Sequence, residues 1–132
     1  MYFCKANLKI NMSVESNTAN NLLKNIITAI QDVKGEDIIS LDLRKLNSAV
    51  SDYFVICTGK SDTQVKAIQR NIEQLILKKN SEKVFNIEGS NIGEWILMDY
   101  SDIIVHIFQK KTRDFYNIED FWGDAEFTEY KD

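Results

Sequence analysis

The chain has 132 residues, enough for one domain with its own core. Its composition, 44% hydrophobic and 27% charged, is that of an ordinary globular protein, and no run approaches the roughly 18 apolar residues of a membrane span. A net charge of -4 argues against a general nucleic-acid binder, which needs a basic face to displace counterions, and permits a basic protein as partner.

Residues 1–17 are polar and aperiodic and are expected to form a poorly ordered extension, with Met12 as a second candidate start. Lys5, Asn7 and Lys9 interrupt any apolar core of a signal peptide. Two cysteines, Cys4 and Cys57, are too few for a disulfide framework. A cytoplasmic location is expected. The main domain is placed at 18–125, followed by an acidic tail over 126–132.

Asn17 or Thr18 can cap a first helix, in which Leu22, Leu23, Ile26, Ile27, Ile30 and Val33 share one face. Lys34-Gly35 ends it, with the glycine expected in the left-handed position. Ile39, Leu41 and Leu43 alternate with Ser40 and Asp42 as a half-buried strand. Ser48–Asp52 reads as a turn. Tyr53–Thr58 is a continuous β-prone run, suited to a strand covered on both sides. Ser61 and Gln64 have the spacing of a capping box, opening a helix with Val65, Ile68, Ile72, Leu75 and Ile76 on one face. A strand is expected over Val84–Glu88. Trp95–Tyr100 and Ile103–Phe108 form two strands around a very short turn. Thr112–Trp122 reads as one short helix stopped by Gly123, with Phe115, Ile118, Phe121 and Trp122 apolar. The order predicts a single α/β domain: a mixed sheet of about five strands with flanking helices.

Several constellations invite chemistry. Gly59-Lys60-Ser61 resembles the end of a phosphate-binding loop, but Phe54 stands where the first glycine is required. A weak anion site at the helix start survives that test. Asp99 and Asp102 are the best carboxylate pair, with Asp42 as a third. A Mg²⁺-dependent nucleotidyltransferase needs such acids on one side of a sheet, yet no triphosphate-binding lysine or glycine-serine loop accompanies them. His106, inside an apolar strand, reads as a hydrogen-bonded structural residue before a base or ligand. No Cys/His set has zinc spacing and no serine or cysteine sits in a nucleophile elbow. No residue is assigned a catalytic or metal-binding role, and no cofactor is expected. Trp95 and Tyr100 flank the acids. Either both rings lie in the core, or one faces out beside acids, as in a protein-binding hot spot. Seven acids and one base between Asp114 and Asp132 mark a solvated tail or an interaction tail.

Taken together, Ser51–Gly59, Gln64-Val65-x-Ala67-Ile68, Glu88-Gly89, Trp95–Phe108 and Arg113-x-Phe115-Tyr116-x-Ile118-Glu119-x-x-Trp122-x-Asp124-Ala125 resemble the ribosomal silencing factor family, also called Iojap-like. The resemblance spans about residues 20–125. It implies a nucleotidyltransferase-like fold without that fold's active site, and no enzymatic activity. It also implies binding to the large ribosomal subunit at the face that meets the small subunit, through a basic large-subunit protein of the L-fourteen type. Members thereby block subunit joining and slow translation under nutrient limitation. Carried over by motif, the partner-binding residues are Trp95, Asp99, Tyr100 and Asp102, with Leu97 and Glu94. Little direct nucleic-acid contact and no membrane partner are implied. A homodimer that uses the same sheet surface is a further reading, and a nucleotidyltransferase-like Mg-dependent enzyme is the functional alternative.

Overall fold

The computed structural model describes residues 21–46 and 51–131. The expectations for residues 1–17, for a cap at Asn17 or Thr18, and for most of the turn at 48–52 lie outside these. In chain order the elements are α1 (21–32), β1 (Glu36–Asp42), β2 (Tyr53–Gly59), α2 (Asp62–Asn80), β3 (Asn86–Glu88), β4 (Trp95–Asp99), β5 (Ile103–Gln109), α3 (Lys110–Tyr116), α4 (Ile118–Phe121) and β6 (Glu126–Tyr130).

The strands form one mixed sheet in the order β3-β4-β5-β2-β1-β6. Every residue of β2 is buried, as its unbroken apolar run demands. It pairs in parallel with β5, from Tyr53 opposite Ile103 to Gly59 opposite Gln109, and all other pairings are antiparallel. Among the described residues the sheet has six strands where about five were expected. Glu126–Tyr130, expected as acidic tail, pairs with β1 from Asp42 opposite Glu126 to Ile38 opposite Tyr130. Two side-chain bonds fasten this strand: Tyr130 and Ser40 hydroxyls lie 2.9 Å apart, and Gln31 Nε2 donates to the Lys131 carbonyl.

Both long helices cover one face of the sheet. Leu22, Ile26 and Ile30 of α1 and Val65, Ile68, Ile72 and Ile76 of α2 pack with Val55, Cys57, Ile96, Met98, Val105 and Ile107. The second face carries a smaller cluster of Ile39, Leu41, Leu43, Phe54, Ile56 and Phe108, against which Ile118 and Trp122 pack. Among the described residues this face is only partly covered.

The helix ends depart from expectation in instructive ways. Lys34, not Gly35, takes the left-handed conformation after α1 (φ 66°). Gly35 is needed for space instead, because a Cβ there would run into the Ile30 side chain. Ser61 Oγ accepts from the Gln64 amide at 3.1 Å, as a capping box requires. The Gln64 side chain reaches one residue further back than the motif, accepting from Lys60 N at 2.6 Å. It also donates to the Lys34 carbonyl at 2.9 Å and so staples the end of α1 to the start of α2. The single helix expected over Thr112–Trp122 is two, broken at Asn117 (φ 46°), a residue type that tolerates the left-handed region. Arg113 fixes the pair: Nε donates to Glu119 at 2.7 Å, and Nη1 to the Asp37 carbonyl and Thr58 Oγ1. Among the described residues no helix is long and apolar enough to cross a membrane.

The loop before β4 depends on Gly89, whose φ of 85° and contact with the Trp95 carbonyl leave no room for a Cβ. Gly89→Ala is therefore expected to cost at least about 2 kcal/mol. A fall in the urea midpoint at unchanged m-value checks this.

Candidate functional site

Alternation along β4 sends Ile96 and Met98 under the helices and turns Trp95, Leu97 and Asp99 to the second face, each half-buried. Trp95 sits opposite Phe108 on β5 and stacks on its ring, with centroids 4.9 Å apart. The Tyr116 ring, at the end of α3, lies 4.9 Å away on another side. The indole is thus stacked on one ring, in contact with a second, and partly open to solvent.

Its polar atom is fixed as well. Trp95 Nε1–H donates to His106 Nδ1 at 3.1 Å. His106 is buried between Phe54, whose ring lies 4.7 Å away, and Trp95. Burial pushes its pKa down to about 4, so the imidazole is neutral at pH 7. Because Nδ1 accepts, the proton resides on Nε2, which has no acceptor among the described residues. A base would need an open path to substrate. His106 instead orients the tryptophan.

The turn between β4 and β5 is held by Asp99, whose Oδ1 accepts from the Ser101 amide at 2.7 Å while Ser101 adopts φ 71°. The Asp102 carbonyl accepts from the amides of Asp52 and Tyr53, which ties the turn to the start of β2. The side chains of Asp102 and Glu94 are exposed at opposite ends of β4. Trp95, Leu97 and Asp99 therefore share one face, while Asp102 lies in the turn beside Arg44, Leu46 and Asp52, and Glu94 precedes the strand.

Tyr100 does not share that face. It is 5% exposed, packed among the helix-side core, and its hydroxyl meets no partner among the described residues. The placement of Tyr100 in the binding patch is corrected: it follows Ile96 and Met98 at period two and shares their covered face. Burial, with Glu73 and Glu82 as lesser causes, raises its pKa far above the usual phenol range.

The helical aromatics depart from expectation in the opposite sense. Phe115 and Phe121, read as an apolar helix face, are each 79% exposed, and Tyr116 is also exposed. Phe115 and Tyr116 pack edge to face at 5.0 Å, as do Phe121 and Trp122 at 5.2 Å. The sequence held the signal: consecutive helical positions point about 100° apart, so no single stripe buries both rings of each adjacent pair. Tyr116 links the first of these pairs to Trp95, and Trp122 links the second to Phe54.

Other candidate chemistry finds its groups engaged. The Lys60 and Gln64 amides at the start of α2 are bonded to Gln64 Oε1 and Ser61 Oγ, so the anion site read from Gly59-Lys60-Ser61 has no open amide at those positions. Asp42 is gripped by Arg44 Nε and Nη2 at 2.9 and 2.8 Å, which holds its carboxyl below the usual range. Among the described residues no group of three or more His, Cys, Asp or Glu side chains could hold a metal ion. Burial pushes the Cys57 thiol up to about 12, so it is an inert core group.

The molecule is an α/β domain with a mixed sheet, two long helices on one face and a short helical pair on the other. A sequence profile described as "Ribosomal silencing factor during starvation" matches residues 16–132, and the chain belongs to that family. It is 43% identical over 105 residues to the ribosomal silencing factor RsfS of Bacillus subtilis, covering 80% of this chain and 87% of that one. A crystal structure of a Chromobacterium violaceum protein superposes with a TM-score of 0.74 at 38% identity, covering 79% of this chain and 85% of its own. A more distant relative, 30% identical over 74 residues (54% of this chain, 32% of the other), is the mouse protein named for mitochondrial assembly of the ribosomal large subunit.

Tyr100 and His106, on opposite faces of the sheet, each give a prediction. Tyr100→Phe removes a buried hydroxyl without a partner, so stability is expected to be unchanged or slightly higher by thermal denaturation. His106 has its pKa lowered from 6.5 to about 4 on folding. Below pH 6.5 the unfolded chain takes up a proton that the native chain refuses. Its contribution is therefore intact above pH 6.5 and is lost as pH falls toward 4, about 3 kcal/mol in all. His106→Asn keeps an acceptor near the Nδ1 position and removes the titration. The difference between wild-type and variant stability should shrink by that amount across this window.

Proposed function

We propose that this protein binds the large ribosomal subunit through the surface centred on Trp95, and that its bulk then keeps the small subunit from joining. The partner on the large subunit is a basic protein of the L-fourteen type at the intersubunit face. The outcome is repression of translation under nutrient limitation, in the cytoplasm, with no chemical step. The observation that carries the reading is the state of Trp95: half-open, stacked on Phe108 and hydrogen-bonded to His106 before any partner arrives. An aromatic side chain held in one orientation loses little freedom on binding, which favours affinity. Glu94 beside it, Asp99 at the far end of the same face and Asp102 in the turn beyond add negative charge, suited to steering a basic partner and fixing its register. Leu97 and the exposed rings of Phe115, Tyr116 and Phe121 widen the apolar contact. The family description supports ribosome silencing, and the name of the mouse relative supports the large subunit.

Trp95→Glu is expected to weaken binding to purified large subunits by at least ~2 kcal/mol, about 30-fold in Kd, while Tyr100→Phe binds like wild type. Co-sedimentation measures both. A folded Trp95→Glu protein that pellets with large subunits as the wild type does contradicts this reading. Light scattering on the same samples reports whether a second copy competes for the surface. If so, dimer and ribosome complex would be mutually exclusive.

A further inference from the structure

A groove of about 630 Å³ runs between β6 and the α3–α4 pair, and none of Trp95, Leu97, Asp99 and Asp102 lines it. We propose that the free edge of β6, which forms one wall of this groove, is a second docking site, and that it takes an extended segment of a basic protein added alongside β6. The proposal is independent of the reading given for Trp95.

The groove has an apolar floor. Ile39 and Leu41 of β1 form it with Trp122 beyond α4, and Phe127 of β6 stands 59% exposed beside them. An aromatic ring so open on a sheet strand is available to a partner. The walls are acidic. The two cations that line the groove are both engaged: Lys110 Nζ lies 3.3 Å from Asp114, and Arg113 is bound to Glu119, the Asp37 carbonyl and Thr58. No lysine or arginine among the described residues pairs with Asp120 or Glu129. The surplus charge therefore calls for cations from outside.

The strand itself supplies the third element. β6 is the last strand of the sheet and pairs only with β1 among the described residues. Among the described residues its outer edge meets no second strand, and such an edge is the usual template for an added strand. Phe127 and Glu129 face the groove side, opposite Leu41 and Ile39. A strand added outside β6 would meet a ring and, two residues on, a carboxylate. The fitting side chains are aliphatic and then basic at alternate positions. A second copy of this chain brings no cation to Glu129: antiparallel pairing of two β6 edges about Thr128 sets Phe127 against Glu129 and Glu126 against Tyr130. A nucleic acid is repelled by the same charge.

The test uses the full-length protein and a fluorescein-labelled peptide, Ser-Val-Thr-Lys-Thr-Val-Thr-Lys-Ser, followed by anisotropy at low salt. One control peptide carries glutamate for lysine and another serine for valine. Saturable binding of the first peptide alone is expected, weakened at least about tenfold by Glu129→Lys and clearly by Phe127→Ser, and unchanged by Trp95→Glu. Both altered positions are exposed, so the fold should persist by circular dichroism, and Glu129→Gln offers a milder second variant. Amide exchange should show new protection at alternate residues of 126–130. No saturable binding at millimolar peptide, equal binding of either control, indifference to both β6 substitutions, or dimerisation through β6 would each overturn the proposal.

Discussion

The parallel pairing of β2 with β5 sets where everything else in this molecule can lie. Seven consecutive residues are matched in register, from Tyr53 with Ile103 to Gly59 with Gln109. Side chains on a strand alternate between faces, so a slip of one residue would exchange the two faces entirely. In the observed register Ile103, Val105 and Ile107 point to α1 and α2, and His106 and Phe108 point the other way. β4 then pairs with β5 so that Trp95 meets Phe108 and Leu97 meets His106. The anchor surface is a consequence of that register.

The two faces are built differently, and the proposed function uses the difference. One is closed by two long amphipathic helices and contains nearly all the fully buried aliphatic residues. Among the described residues the other is covered by the short α3–α4 pair, fastened at Arg113, and keeps aromatic rings at the surface. Stability rests largely on the first face, which leaves the second open to a partner. His106 sits at the junction. Neutral and buried, it gives the Trp95 indole a fixed acceptor, and an ionised imidazole could not do so.

Much of this was readable from residue patterns. The periodicity of α1 and α2, the unbroken run of β2 and the alternation of β4 each name a face correctly, because burial of that face is what the period records. The cap at Ser61 followed from local hydrogen bonding. What failed was whatever depends on which face a neighbour covers. Alternation sets Tyr100 apart from Trp95, but only the position of α2 decides that Tyr100 is the buried one. The aromatics of Thr112–Trp122 fit one helical stripe until Asn117 turns left-handed and divides it. Glu126–Tyr130 is acidic and solvated, so it reads as a tail. Its strand character comes from the partner β1, far away in sequence. The hydrogen bond between Trp95 and His106 was likewise hidden, since cross-strand pairing is a long-range fact.

The central claim is that occupancy of the large subunit by this folded surface is sufficient to prevent subunit joining. Purified large subunits, loaded with the protein in slight excess and then mixed with small subunits, can be resolved on a sucrose gradient. The account predicts that whole ribosomes disappear in proportion to bound protein while both subunits remain intact. Whole ribosomes forming at the uninhibited level, with the protein still bound to the large subunit, would contradict it.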